Sequence, residues 1–515
     1  MEFLDSITPR DYQQKIFETC RDKNCLVVLP TGLGKTLIAL MLTIERMKSF
    51  PGEKVLFLAP TRPLAEQHLN FFKKHLPELF GDMQIFTGSV SAANRKKIWK
   101  TSDIVFSTPQ CIANDLKNRL YDLKDVCLLI EDEAHRCIKN YDYTAVAKSY
   151  RNQSAHQRIL GLTASPGSDP EKIKEICRHL SVEEVELRTR ESEDVKKNLQ
   201  ELEFEKVHVD LPPEFVEIKE VLKKIHDSYA DELRQRNLLF GPATKVNLIK
   251  LQSRLINLLS SGSRNFTTFR AMSACANAIK LQHALELIET QTVLGFSEYM
   301  ESLLDQAAKS KSKGVQELVK KQEFNLAYDK SQELLKENTE HPKVSELCEI
   351  VKREKQNDNS SARIIVFSQY RDTASLISKK LNEIPGIIAK VFVGQQKKKD
   401  TGLSQKEQKE VIREFSSGEI NVLCATSIGE EGLDIPEVNL VIFYEPVASA
   451  IRAIQRAGRT ARLSKGKLIM LITKGTRDET SYYVSRRKEK NMQTAIKDIK
   501  KDLADGGLEF QKTLE

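Results

Sequence analysis

Apolar residues fall along this chain in two rhythms. Short unbroken runs at 25–29, 55–59, 103–107, 126–130 and 159–163 alternate with stretches whose apolar positions recur every three or four residues. Such runs suit strands buried on both faces, and their alternation with helical stretches predicts a parallel sheet covered by helices. From about 200 to 345 the strand rhythm is almost absent. Phe215, Ile218, Leu222, Ile225, Tyr229 and Leu233 follow the Pro212-Pro213 pair at three- and four-residue steps, which predicts an amphipathic helix. Residues 248–259 and 271–294 read as further helices, whereas 309–336 is polar enough to predict a mobile arm. After a polar linker at 352–362 the first rhythm returns at 364–367, 387–393, 422–425, 440–444 and 468–472. The pattern predicts an α/β protein with parallel-sheet lobes at 1–200 and 346–515, the second ending in a helical tail, and an all-helical insertion over 201–345.

Length agrees with this division, since 515 residues accommodate three or so domains at roughly 150 residues each. The balance of 80 Lys and Arg against 72 Asp and Glu, a net +8, permits a polyanionic partner without demanding one. Nine cysteines with no Cys-x-x-Cys spacing suit reduced thiols in a cytosolic protein, and Cys127 and Cys424 fall in apolar runs as plain core. No apolar stretch reaches the roughly 18 residues of a membrane span, and the N-terminus has no signal-peptide pattern. The expectation is a soluble, cytoplasmic protein with no membrane partner.

The chemistry concentrates where apolar runs end. Leu29-Pro30-Thr31-Gly32-Leu33-Gly34-Lys35-Thr36 joins the first run to a helical pattern. Gly32 and Gly34 let backbone N–H groups close on an anion, Lys35 supplies a point charge for β- and γ-phosphates, and Thr36 can ligate Mg²⁺. The full G-x-x-x-x-G-K-[ST] spacing would place glycine where Leu29 stands. Asp132 and Glu133 follow the run 126–130, at the strand end where open α/β sheets bind ligands. Asp132 suits the Mg²⁺ water shell, and Glu133 suits orienting or deprotonating the water that attacks the γ-phosphate. In the second lobe, Gln455 to Arg462 reads as a helix on which Arg459 and Arg462, three apart, share a face. Two guanidinium groups so aimed suit a phosphate and the arginine-finger role.

Together these residues resemble a superfamily-two helicase, two RecA-like lobes with ATP between them. Residues 30–36 are similar to motif I, 59–64 to motif Ia, 132–135 to motif II and 163–165 to motif III; Thr87-Gly88 and Thr108-Pro109 resemble further strand-contact motifs. Residues 367–369 resemble motif IV, Ala425-Thr426-Ser427 through Gly432-Leu433-Asp434 motif V, and 455–462 motif VI. The resemblance implies catalytic roles for Lys35, Asp132, Glu133, Gln455, Arg459 and Arg462, and an ATP site holding Arg10, Gln13, Thr31, Gly32, Gly34, Lys35, Thr36, Gly432 and Asp434. Gln13 would read the adenine edge with both ends of its amide. Thr61, Arg62, Thr87, Gly88, Thr108, Ser368, Gly394 and Thr426 would grip one strand through its phosphates.

The insertion, with Phe392-Val393-Gly394-Gln395 and residues 402–408, narrows the resemblance to archaeal Hef and its Fanconi-anaemia M relatives, which act on stalled forks. On that reading Arg234, Arg236 and Lys245 of the insertion hold a second duplex arm, ATP and Mg²⁺ are the cofactors, and forked or junction DNA is the partner, with RNA less favoured. Hef usually continues into a nuclease domain marked Glu-Arg-Lys-x-x-x-Asp; no such motif occurs here, so a nuclease would be a separate partner or a domain outside this chain. RIG-I-like sensors and Dicer share the insertion type, which gives the alternative of a double-stranded-RNA-dependent ATPase.

Overall fold

The computed structural model describes residues 7–197, 202–261, 266–309, 312–357, 363–394, 402–426, 438–446 and 466–505. Among the described residues the first sheet has seven parallel strands in the order β3-β4-β2-β5-β6-β1-β7. They are β1 (Cys25–Val28), β2 (Lys54–Leu58), β3 (Met83–Phe86), β4 (Ile104–Ser107), β5 (Val126–Asp132), β6 (Ile159–Thr163) and β7 (Glu184–Leu187). Side chains of a strand alternate between faces, so one unbroken apolar run feeds two cores. Val27, Phe57, Phe106 and Ile130 pack beneath the helices Asp11–Asp22, Lys35–Ser49 and Arg62–His75. Leu26, Leu56, Val105 and Leu129 pack the opposite face with Tyr143, Tyr150 and Ile176.

The second sheet has six described strands in the order β10-β11-β9-β12-β13-β8, again parallel. They are β8 (Leu202–Val209), β9 (Ile364–Phe367), β10 (Ala389–Phe392), β11 (Val422–Ala425), β12 (Leu440–Phe443) and β13 (Gly466–Thr473). The strand β8 corrects the expectation of an insertion free of strands from about 200. It pairs along its whole length with β13 and forms the sheet's edge, so the helical segment begins only at Pro213. Its sequence, Leu-Glu-Phe-Glu-Lys-Val-His-Val, mixes charged with apolar residues because an edge strand need not be dry on every side. The other missed strands, β3 and β7, are the two edges of the first sheet for the same reason.

Helices Pro213–Gln235, Lys245–Ser260, Phe266–Thr290 and Val293–Ala308 share one core in which Phe215, Leu222 and Ile225 meet Ala278, Leu281 and Leu285. The mobile arm expected at 309–336 is instead the helices Lys313–Val319 and Gln322–Lys336. Val315, Leu318, Phe324, Ala327 and Leu334 insert into that core, a narrow apolar stripe that the many polar residues around it hide. The expected linker from 352 is helical to Asn357.

The insertion sits on the second lobe through buried and partly buried polar contacts. Arg477 donates to the Gln282 carbonyl at 2.7 Å, the Tyr370 hydroxyl to Glu286 at 3.2 Å, and Thr373 to Gln291 at 2.8 Å. Burial alone would raise the Glu286 carboxyl, but His283, Lys245 and Arg477 hold it down at about 2. Nearby, Lys343 is fully buried, with its Nζ 2.9 Å from Asp478 and 2.9 Å from the Tyr444 carbonyl. The last helix, Arg477–Ala504, leaves β13 and returns to the first lobe, where Met492, Ala495, Ile496 and Ile499 join the core beside Val185 of β7.

Candidate nucleotide site and nucleic-acid track

All strands of a parallel sheet end at one edge, and sheet order sorts the site residues along it. The phosphate loop follows β1, Asp132 ends β5 and Thr163 ends β6, three adjacent strands. Thr61, Thr87 and Thr108 follow β2, β3 and β4, the adjoining three. In the second sheet Ser368, Gly394 and Thr426 follow β9, β10 and β11, also neighbours. The edge of the first lobe thus separates the residues expected to hold the nucleotide, the nucleotide half, from those expected to grip a strand, the track half.

In the nucleotide half Gly32 and Gly34 adopt positive φ of 85° and 80°, a conformation open to glycine, and Gly34 precedes the helix Lys35–Ser49. Tyr12 and Gln13 clamp the loop: the Tyr12 hydroxyl and the Gln13 Nε2 donate to the Leu33 carbonyl at 2.9 and 3.0 Å. The Gln13 Oε1 accepts from the Arg10 backbone N–H at 2.8 Å. Each end of the Gln13 amide thus makes one contact within the protein and keeps a second N–H and a second lone pair. Lys35 donates to the Leu29 carbonyl at 2.9 Å, and Thr31 lies half-buried beside the glycines.

Asp132 and Glu131 point to opposite faces of β5, which splits the acidic cluster. Burial pushes the Glu131 carboxyl well up, while the neighbouring Cys137 thiol works the other way. The Asp132 side chain meets His68, whose Nε2 lies 2.9 Å from Oδ2, and the His68 Nδ1 lies 3.4 Å from the Thr36 hydroxyl. Thr36 and Asp132, hard oxygen donors, thus converge on one imidazole, an arrangement that fits a small divalent cation such as Mg²⁺. His68 is absent from the sequence reading because a single histidine inside a helical pattern carries no spacing signal. Glu133 holds a left-handed φ of 51°, a strained conformation for a side chain of its size. Its carboxylate lies 3.2 Å from His135 Nδ1, which is 3.1 Å from the Thr163 hydroxyl. The Thr163 hydroxyl accepts from the Ser165 N–H, and the Ser165 hydroxyl lies 3.1 Å from the Met492 sulfur. A polar chain therefore runs from motif II through motif III to the last helix.

In the track half, Arg62 pairs with Glu66 at 2.7 Å, and Glu66 lies 3.6 Å from Lys409 of the second lobe. Thr87 bonds Ser89 at 2.8 Å, Gly88 is exposed, and Thr108 precedes the helix Pro109–Lys117. Ser368 donates to the Tyr370 carbonyl at 3.0 Å, and the Gly394 carbonyl accepts from Arg371 at 3.3 Å. The hydroxyls of Thr61 and Thr426 are buried without a hydrogen-bond partner among the described residues. Gln369, beside Ser368, donates its N–H to Glu445, whose carboxyl burial pushes up to about 7. Gly432, Asp434, Gln455, Arg459 and Arg462 lie outside the described residues. In the insertion Arg234 pairs with Asp231 at 2.7 Å, Arg236 with Glu232 at 2.9 Å and Lys245 with Glu286 at 2.8 Å. The three cations expected to face DNA are each shared with a carboxylate.

Two parallel-sheet lobes, a phosphate loop with an acidic strand end, and a helical bundle before the second lobe's main strands define a superfamily-two helicase. Residues 10–173 match the family described as "DEAD/DEAH box helicase", 342–464 "Helicase conserved C-terminal domain", and 214–336 "Putative ATP-dependent RNA helicase, helical bundle". The helicase domain of Pyrococcus furiosus Hef is 40% identical and superposes with a TM-score of 0.73, covering 94% of this chain and 99% of that one. The chain belongs to the Hef and Fanconi-anaemia M family of ATP-dependent helicases. It is 39% identical to a Methanocaldococcus jannaschii protein named a putative ATP-dependent RNA helicase, over 96% of this chain and 61% of the relative. It is 33% identical to the Fanconi anemia group M protein homolog of Mus musculus, over 95% of this chain and 26% of the relative. The chain thus spans less than two thirds of these relatives' length. No described helix is long and apolar enough to cross a membrane.

Proposed function

We propose that this chain hydrolyses ATP to move along DNA and remodels branched DNA such as stalled forks and junctions in replication and repair. The observation that carries the reading is the divided sheet edge: nucleotide residues at the ends of β1, β5 and β6 lie directly beside strand-contact residues at the ends of β2, β3 and β4. Similarity to a Neurospora crassa protein named an ATP-dependent DNA helicase, 34% identical over 91% of this chain and 41% of that relative, supports DNA as the polymer. The nine cysteines, all free thiols, accord with a cytoplasmic site of action.

In this reading Mg²⁺–ATP, when bound, supplies the activated phosphoryl group. Lys35 and the loop N–H groups bind its phosphates, with Thr36 and Asp132 as the residues that hold the metal; Arg10, Gln13 and Thr31 frame the nucleotide. Glu133 orients the attacking water and accepts its proton. The charge that develops at the γ-phosphate is assigned to Arg459 and Arg462, and further parts in ATP use to Gln455, Gly432 and Asp434. Alternating grip by Thr61, Arg62, Thr87, Gly88 and Thr108 against Ser368, Gly394 and Thr426 converts lobe closure into movement. Arg234, Arg236 and Lys245 add contacts to a second arm by exchanging carboxylate for phosphate.

The test is ATP turnover measured without polymer and with single-stranded, duplex, forked and four-way DNA and with duplex RNA. Branched DNA is expected to stimulate most, Lys35→Ala to lose nucleotide binding and turnover together, and Glu133→Gln to bind ATP without turning it over. Stimulation by duplex RNA alone would favour the second reading, a double-stranded-RNA-dependent ATPase; the helical-bundle family and the M. jannaschii relative, both named for ATP-dependent RNA helicases, support RNA as the polymer.

A further inference from the structure

His68 belongs to no motif used above, yet it occupies the junction between the two halves of the first lobe's edge. It lies on the helix Arg62–His75, which begins at the strand-contact residues Thr61 and Arg62. Its side chain is 8% exposed, and its ring packs on Phe57 of β2, the last strand of the track half, at 4.4 Å between centroids. Its two nitrogens reach into the nucleotide half, Nε2 to Asp132 at 2.9 Å and Nδ1 to Thr36 at 3.4 Å.

One neutral tautomer satisfies both contacts. The Nε2–H donates to the Asp132 carboxylate and Nδ1 accepts the Thr36 hydroxyl proton, whereas the other tautomer would set a ring lone pair against a carboxylate. With its proton turned to the ring, the Thr36 oxygen has its lone pairs directed elsewhere. Asp132, held through Oδ2, keeps Oδ1 for another partner. An imidazole in this position does for two oxygen donors what an outer-shell carboxylate does for a metal-bound histidine: it fixes their orientation before the ion arrives.

We propose that His68 is a positioning residue of the Mg²⁺–ATP site, holding Thr36 and Asp132 as a preset pair of hard-oxygen donors. The proposal rests on the reading of these two residues as the metal-holding pair, so the experiment must separate the two.

The measurement is equilibrium binding of a fluorescent non-hydrolysable ATP analogue to the full chain by anisotropy, with Mg²⁺ titrated from an EDTA baseline. In wild type, Mg²⁺ should tighten binding; no response to Mg²⁺ there would overturn the metal-site reading itself. His68→Ala should raise the half-saturating Mg²⁺ about 10- to 100-fold while leaving affinity in EDTA unchanged. His68→Gln, whose amide N–H can span to the Asp132 carboxylate, should recover most of the loss, and His68→Asn, too short for that contact, should resemble alanine. Emission of the single tryptophan, Trp99 in the first lobe, followed through thermal unfolding checks that the variants are folded. If wild type responds to Mg²⁺ but no variant shifts the half-saturating concentration, His68 does not position the pair. An equal loss in EDTA and in Mg²⁺, or a glutamine variant as impaired as asparagine, would equally overturn the assignment.

Discussion

Replacing Lys343 by methionine removes a cation that the second lobe has fully enclosed. Its side chain is 0% exposed and that of Asp478 4%, with 2.9 Å between Nζ and the carboxylate. The Lys343 ammonium also donates to the Tyr444 carbonyl at 2.9 Å and sits 4.5 Å from that residue's ring. Methionine fills the volume but leaves the carboxylate buried with the Thr473 N–H at 3.0 Å as its remaining donor among the described residues. Breaking such a pair on one side costs about 3–5 kcal/mol, because the survivor stays charged and dry. Asp478→Asn, which strands the ammonium instead, should cost a similar amount. The double variant removes both charges and should cost much less than the sum, giving a coupling energy of several kcal/mol. With a urea slope of about 1–3 kcal/mol/M, each single variant should move the second lobe's midpoint down by roughly 1–5 M. Circular dichroism would follow both lobes, with Trp99 fluorescence reporting the first lobe's core, which the helix Arg477–Ala504 also enters. A single-variant loss under about 1 kcal/mol, or a double variant at the sum of the singles, would refute the argument that burial makes this pair interdependent.

Further outcomes follow from the same geometry. Gly34→Ala combines a positive φ of 80° with a Cβ that would collide with the Gln13 amide nitrogen, so ATP affinity should collapse while the fold persists; normal analogue binding would count against the clamp. Glu445 has a folded pKa of about 7 against an ordinary 4.5, so it favours the native state below pH 4.5 and that contribution is lost as pH rises through 7. Wild type should therefore lose about 3 kcal/mol relative to Glu445→Gln between those limits, read as diverging thermal midpoints. Neutralising Arg234, Arg236 and Lys245 should lower the salt slope for fork binding by about 0.9 for each duplex phosphate that no longer meets a cation, while sparing single strands. Equal weakening on both probes would leave these residues a structural role only.

What could be read from sequence tracks burial. Strands dry on both faces, such as β1, β5 and β11, are continuous apolar runs and announce themselves; the edges β3, β7 and β8 mix polar and apolar residues and do not. The phosphate loop and the Asp132-Glu133 pair are legible because their chemistry requires fixed residues at fixed spacing. His68, the Lys343–Asp478 pair and the Lys245–Glu286 pair are assembled from residues far apart in the chain, and nothing local marks them. By contrast, Arg234–Asp231 and Arg236–Glu232 are helical neighbours at three and four residues, so their mutual neutralisation is legible from spacing alone.

Among the described residues the chain joins the lobes at two places, and both lie on the same flank. One joins β7 to β8, each the outermost strand of its sheet; the other is the helix Arg477–Ala504, which leaves β13 beside β8 and docks next to β7, where Lys500 meets Glu184 at 3.1 Å. Two attachments along one flank behave as the spine of a book. Rotation about a spine displaces each part in proportion to its distance from it, and neighbouring strands are about 4.8 Å apart. The loop after β1 is one strand from the spine, whereas Thr87 after β3 is six, and the second sheet places Gly394 after β10 at its own far margin. A small angular closure about that flank would thus carry Thr87 and Gly394 several-fold further than the loop after β1, and the order of strands sets the gear ratio.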